Sequence, residues 1–233
     1  MKRVTVLVAA YKATEDFVGS KVASLLDQTW LYRANVVILN CQDLEGESRS
    51  FRGFCNGQAA RWRKPGMESA NVTEILYNEY VKLYKTWNDG IKITESDYIV
   101  NYNMDDQWHP EYLEKCVTYL DQNPDMAVVS SRVLITETPH QVWHRGEWQS
   151  TGQFPFIAYP KSSAGPCPVW RRSLHDKYGY FRDSYVIGDA LMWEKWLAGG
   201  EKFGLIDEEL VLYYRNPESL ERRHHPDGMR LID

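Results

Sequence analysis

The sequence predicts an α/β fold built on a mostly parallel central sheet flanked by helices, and three observations predict it. Residues 4–10, VTVLVAA, form a nearly continuous apolar run, typical of parallel strands covered on both faces. A helical pattern and a second apolar run, Val36 to Leu39, follow, which reads as a right-handed strand–helix–strand unit. A third run, Tyr98-Ile99-Val100, turns polar at Asn101 and Asn103 and reaches two adjacent carboxylates, Asp105 and Asp106. In open α/β sheets ligands bind outside the carboxyl ends of the strands, so the acid pair stands where a site belongs.

The elements follow in order. After the first strand, Thr14 can cap a helix whose apolar positions Phe17, Val18, Val22, Leu25 and Leu26 share one side. Residues 41–70 carry Arg49, Arg52, Arg61, Arg63 and Lys64, read as a solvated helix face with a phosphate-facing role as the alternative. Asn71 and Glu74 have capping-box spacing and predict the start of a long helix through Ile91 into the third strand. His109-Pro110 opens the next helix, which ends near Asn123-Pro124. Met126 to Ser131 is a further strand. Residues 136–168, holding His140, Trp143, His144 and Trp148, read as loops or an edge hairpin, and so long an irregular stretch is often functional. A short helix over 173–178 stops at Gly179, a second runs from Ala190 to Leu197, and Glu209 to Tyr214 is the last strand.

With 233 residues and 43% apolar content, the chain is expected to form one large domain or two intimately joined halves. A net charge of −5 speaks against a general nucleic-acid binder. Cys41, Cys55, Cys116 and Cys167 are widely spaced with no CxxC pair, so reduced thiols and a cytoplasmic location are the expectation. No signal-peptide layout and no apolar run of about 18 residues is present.

Two adjacent carboxylates repel each other, and a hard divalent cation such as Mg²⁺ or Mn²⁺ relieves that repulsion while binding substrate phosphates. The competing reading of each Asp is a helix cap. The same choice applies to Asp189, which follows Gly188 at the start of a helix. No GxGxxG or GxxxxGK[ST] occurs, so phosphates would have to be held by other means, a metal first. In the tail, His224 and His225 are read as surface residues, with a place in a metal shell as the alternative.

Three blocks carry a resemblance: VTVLVAAYKATEDFVGSKVASLLDQTW, WNDGIKITESDYIVNYNMDDQWHPEYL, and WRRSLHDKYGYFRDSYVIGDALMWEKW with GLIDEELVLYY. Together they resemble the inverting family 2 glycosyltransferases of GT-A fold, including those of spore-coat polysaccharide synthesis. The resemblance implies a nucleotide-sugar half over 1–109 and an acceptor half over 110–233. Ala9 and Tyr11 would line the base and ribose pocket, with Asn40 near the base. Asp105 would approach the ribose or metal, Asp106 would bind Mn²⁺ or Mg²⁺, and Asp189 would be the catalytic base. Asn40 and Asn103 stand where many members carry Asp. Gln58 to Trp62 matches the QxxRW of processive synthases but precedes the acid pair instead of following Asp189, so non-processive transfer is expected.

The implied activity is metal-dependent transfer, with inversion, from a nucleotide-diphosphate sugar (a UDP-sugar first) to a hydroxyl of a glycan or other acceptor. Two alternatives share parts of the pattern. A sugar-nucleotide nucleotidyltransferase should carry a Gly-rich basic loop after the first strand, which VAAYKAT lacks. A non-catalytic carbohydrate-binding module would use the nine Trp and fifteen Tyr for stacking, but would need neither nucleotide nor metal.

Overall fold

The computed structural model describes residues 3–11, 13–41, 71–143, 147–154, 164–183 and 187–219. Its strands are β1 (Val4–Ala10), β2 (Ala34–Asn40), β3 (Asn71–Leu76), β4 (Tyr98–Asn101), β5 (Gln107–Trp108), β6 (Met126–Thr136), β7 (Gly152–Gln153), β8 (Val169–Arg171) and β9 (Lys202–Tyr214). Its helices are α1 (Glu15–Asp27), α2 (Leu83–Lys92), α3 (Tyr112–Gln122), α4 (Ser173–Tyr178) and α5 (Gly188–Ala198). The strands form one sheet in the order β3-β2-β1-β4-β8-β6-β9-β5, with β7 on β6. The four strands β3-β2-β1-β4 are mutually parallel. Antiparallel pairings join β8 to β4 and β6, and β5 to β9, while β6 and β9 run parallel.

Alternation along the central strands divides the core in two. Val4, Val6, Val8, Tyr98 and Val100 pack with α1 and α3 on one face. Leu7, Ile99, Val128 and Trp170 pack with α2, α4 and α5 on the other. Strands buried on both faces need continuous apolar runs, which is why VTVLVAA and YIVN were readable in the sequence. α2 lies close to the sheet at Gly90, where an added Cβ would come within 2.7 Å of Leu7 Cδ2.

One predicted element is corrected. Asn71–Leu76 is a parallel edge strand, not the opening of a helix, and the helix begins only at Leu83. The segment pairs residue by residue with β2, from Asn35–Asn71 to Asn40–Leu76. Glu74 accepts a hydrogen bond from Asn40 Nδ2 at 2.8 Å, so it satisfies a neighbouring strand instead of a helix end. Val72, Thr73 and Ile75 favour the pleated backbone; capping-box spacing is local and was outweighed by pairing with β2. β6 and β9 both extend beyond the predicted limits, because their long parallel pairing runs from Met126–Lys202 to Thr136–Tyr214. Among the described residues, no helix is long and apolar enough to cross a membrane. The basic cluster of 49–64, the QxxRW match, Cys55, His144, His224 and His225 lie outside the described residues.

Candidate active site

The chain passes from β1 outward through β2 and β3, then returns to place β4 on the other side of β1. The space between β1 and β4 is therefore the topological switch point, and the carboxyl ends there form a crevice. Ala9 and Tyr11 lie at the end of β1 and Asn40 at the end of β2, in register with Ala10. Tyr11 is exposed and its ring meets that of Tyr80 at 4.8 Å. Asn40 is fully buried; its amide reaches Glu74, and its Oδ1 has no partner among the described residues.

Asp105 and Asp106 follow β4 at the same edge. They differ in surroundings. Asp105 is half-buried and its Oδ2 accepts from Asn216 Nδ2 at 3.2 Å. Asp106 is fully buried. Its Oδ2 accepts from Asn103 Nδ2 at 3.0 Å and from Cys167 Sγ at 3.4 Å. Its backbone carbonyl accepts from Lys21 Nζ. Its Oδ1 is buried without a hydrogen-bond partner among the described residues. Burial, followed by the charge of Asp105, raises the Asp106 carboxyl above the usual carboxylate range, against the pull of Lys21, Asn103 and Cys167. Burial lowers the Lys21 ammonium, against the attraction of Asp106.

This donor set fits a hard divalent cation. A buried carboxylate oxygen without a partner, beside a second carboxylate, is a pair of sites that such an ion satisfies. Among the described residues no group of three or more His, Cys, Asp or Glu surrounds a common point. Phosphate oxygens and water would complete the shell, as is usual for ions held by one or two carboxylates.

Asp189 reaches the same edge from the opposite face of the sheet. It occupies the first turn of α5, two residues past the cap residue Ile187. Its Oδ1 accepts from Tyr84 Oη at 2.8 Å and from Ala190 N–H at 2.8 Å. Tyr84 is in the first turn of α2, and α2 crosses over from β3 to β4, so that turn lies at the carboxyl edge of the parallel strands. Gly188 makes the contact close: an added Cβ would meet the Tyr84 ring at 2.7 Å and Arg182 O at 2.9 Å. Burial raises the Asp189 carboxyl, and the Tyr84 and Ala190 hydrogen bonds partly offset it. Burial and the charge of Asp189 push the Tyr84 phenol well up, so it stays a donor.

Aromatic side chains border the second half of the edge. His109 meets Trp143 at 4.4 Å, and Trp143 meets Trp148 at 5.0 Å, which gathers part of the predicted Trp-rich stretch beside the acidic turn. His140, in the left-handed region at φ 60, packs against Phe17 at 4.3 Å.

Sequence reasoning missed Lys21, Tyr84 and Asn216. A signal existed for Lys21, since its position falls inside the apolar stripe Val18, Val22, Leu25 at helical spacing. None existed for Tyr84 or Asn216, whose partners lie 105 and 111 residues away in sequence.

The family model described as Glycosyl transferase family 2 matches residues 5–179. Among solved structures, Staphylococcus aureus TarS 1-349 in complex with UDP-GlcNAc is similar with a TM-score of 0.68 at 16% identity, covering 98% of this chain and 62% of that one. The same protein in complex with UDP gives 0.67 at 17%, covering 93% and 61%. The mannosyltransferase PcManGT from Pyrobaculum calidifontis, in complex with GDP-Man and Mn²⁺, gives 0.64 at 15%, covering 93% and 58%. The chain thus spans about three fifths of these structures, and the likeness bears out the GT-A architecture expected from the sequence.

Proposed function

We propose, from the premise that this chain belongs to glycosyl transferase family 2, that it moves a sugar from a nucleoside-diphosphate sugar to a hydroxyl acceptor, with inversion. The observation that carries the reading is the placement of both the Asp105–Asp106 pair, after β4, and the Asp189–Tyr84 pair, at the first turn of α2, at the carboxyl edge of the parallel strands. Residues 1–109 would form the donor half and 110–233 the acceptor half. Tyr11, with Tyr80 beside it, would stack on the base, and Ala9 and Asn40 would border the base and ribose. The half-buried Trp143 offers a face to acceptor sugar rings. Buried free thiols at Cys41, Cys116 and Cys167 suit a cytoplasmic enzyme.

Asp105 and Asp106 would hold Mn²⁺ or Mg²⁺, which when bound supplies Lewis-acid stabilisation of the leaving diphosphate. Asp189 takes the proton of the acceptor hydroxyl as the new C1–O bond forms and the bond from C1 to the diphosphate oxygen breaks. Burial raises its proton affinity, which suits a base, and the Tyr84 hydroxyl fixes its orientation through a hydrogen bond that favours the anion. Attack on the face opposite the diphosphate inverts the anomeric centre.

The test is incubation with UDP- and GDP-sugars in the presence of Mn²⁺ and candidate glycan acceptors, with the product anomer read by NMR. Formation of a glycoside inverted relative to the donor supports the reading. A product with retained configuration would remove Asp189 from the role of base. Glycan binding without nucleotide or metal would favour the carbohydrate-binding module instead.

A further inference from the structure

α1 and its C-terminal cap carry a buried polar stripe, Ser20, Lys21, Ser24 and the cap residue Gln28, at helical spacing on the side that faces the acidic turn. Each member bonds to the segment from Tyr102 to Leu113. Gln28 donates to His109 O at 2.8 Å and accepts from Leu113 N–H at 3.2 Å. Ser24 meets Tyr102 Oη at 2.5 Å and accepts from Trp108 N–H at 3.2 Å. Ser20 accepts from Gln107 Nε2 at 3.5 Å. Lys21, 0% exposed, donates to the Asp106 carbonyl, and its ammonium lies 3.2 Å from the centre of the Tyr102 ring.

A fully buried lysine is costly unless its charge does something. Here every polar group of Asp106 except one is held: the carbonyl by Lys21, and Oδ2 by Asn103 and Cys167. Among the described residues the exception is Oδ1. We propose that Lys21 is a positioning residue, which anchors the backbone of the acidic turn and offsets the Asp106 charge so that Oδ1 is presented to a divalent cation and the donor diphosphate. It acts through Asp106, in the way outer partners orient metal ligands, and the proposal rests on the transferase reading above.

Two measurements test it. In the first, Mn²⁺-dependent binding of UDP and GDP is titrated into wild type, Lys21→Met and Ser24→Ala. Lys21→Met should weaken that binding by about 10- to 100-fold, as outer-partner changes do. Ser24→Ala, on the same stripe but bonded away from Asp106, should lower the melting temperature with binding within about twofold of wild type. Equal binding by Lys21→Met and wild type, or equal losses in both variants, overturns the proposal. The second is a melting cycle with Lys21→Met, Asp106→Asn and the double variant. Lys21→Met leaves Asp106 uncompensated, so the double variant should melt above Lys21→Met; purely additive losses would contradict the pairing. If Lys21→Met does not fold, recovery of folding in the double variant supports the pairing, and its absence counts against it. If wild type binds no nucleotide with Mn²⁺, the transferase reading falls, and the melting cycle still decides whether Lys21 serves Asp106.

Discussion

Asp106 is a fully buried and Asp189 a half-buried carboxylate at one edge of the sheet, and they are satisfied in opposite ways. Asp106 has a lysine beneath it, a second carboxylate beside it and one oxygen left over. Asp189 has no cation among its described partners, only a phenol and a backbone N–H. A group meant to stay anionic and meet a cation gains from positive charge nearby. A group meant to accept a proton is better served by burial and neutral donors, which orient it without removing its basicity. The difference lies in the partners, a lysine and a second carboxylate at Asp106 against a phenol and a backbone N–H at Asp189, while burial raises both carboxyls.

The largest expected effect comes from removing the proposed base. Asp189→Asn should keep nucleotide affinity and lose about 10²- to 10⁴-fold in kcat. Transfer rates and calorimetric affinities measured on one preparation check this, and retained transfer would place the base elsewhere.

A third enclosed group sharpens the comparison because burial keeps it neutral at neutral pH. His175 accepts from Trp170 Nε1 at 2.9 Å and donates through Nδ1 to Gly179 O at 2.9 Å, which fixes a neutral ring. Burial lowers its pKa from 6.5 to about 4. The unfolded chain then binds the extra proton between about 6.5 and 4, so stability is lost as pH falls through that window and no further below it. The loss should approach the order of 3 kcal/mol. Urea unfolding of wild type and His175→Gln at pH 7 and pH 4.5 should show the wild type losing more; parallel losses would contradict the assignment.

The smallest effect concerns how Asp189 is held. Tyr84→Phe removes a hydrogen bond to the charged form, so the Asp189 carboxyl should move further up. The acidic limb of the kcat–pH profile should shift to higher pH, and kcat at neutral pH should fall about tenfold, in line with one hydrogen bond to a charged group. An unshifted limb would mean that Tyr84 only packs against Gly188.

Much of this arrangement was legible in the chain. The apolar runs of β1, β2 and β4 report burial on both faces, and the acid pair follows the last of them directly. Asp189 was visible because Gly188 and a helix flank it. β3 was not legible, since it is a largely exposed edge strand whose pairing with β2 is non-local. The partners were less legible still. Tyr84 reads as one more aromatic in a helix, and only the fold brings it to Asp189. Lys21 was written into the apolar stripe of α1, where a charge at a core position marks a buried counter-charge elsewhere in the fold.

The most direct test of the account is calorimetric titration of UDP, GDP, dTDP and CDP, each with and without Mn²⁺, into wild type and Asp106→Ala. The account predicts that one nucleotide binds, that binding needs Mn²⁺, and that Asp106→Ala loses it. Binding that ignores both Mn²⁺ and Asp106→Ala, or no binding at all, would contradict it.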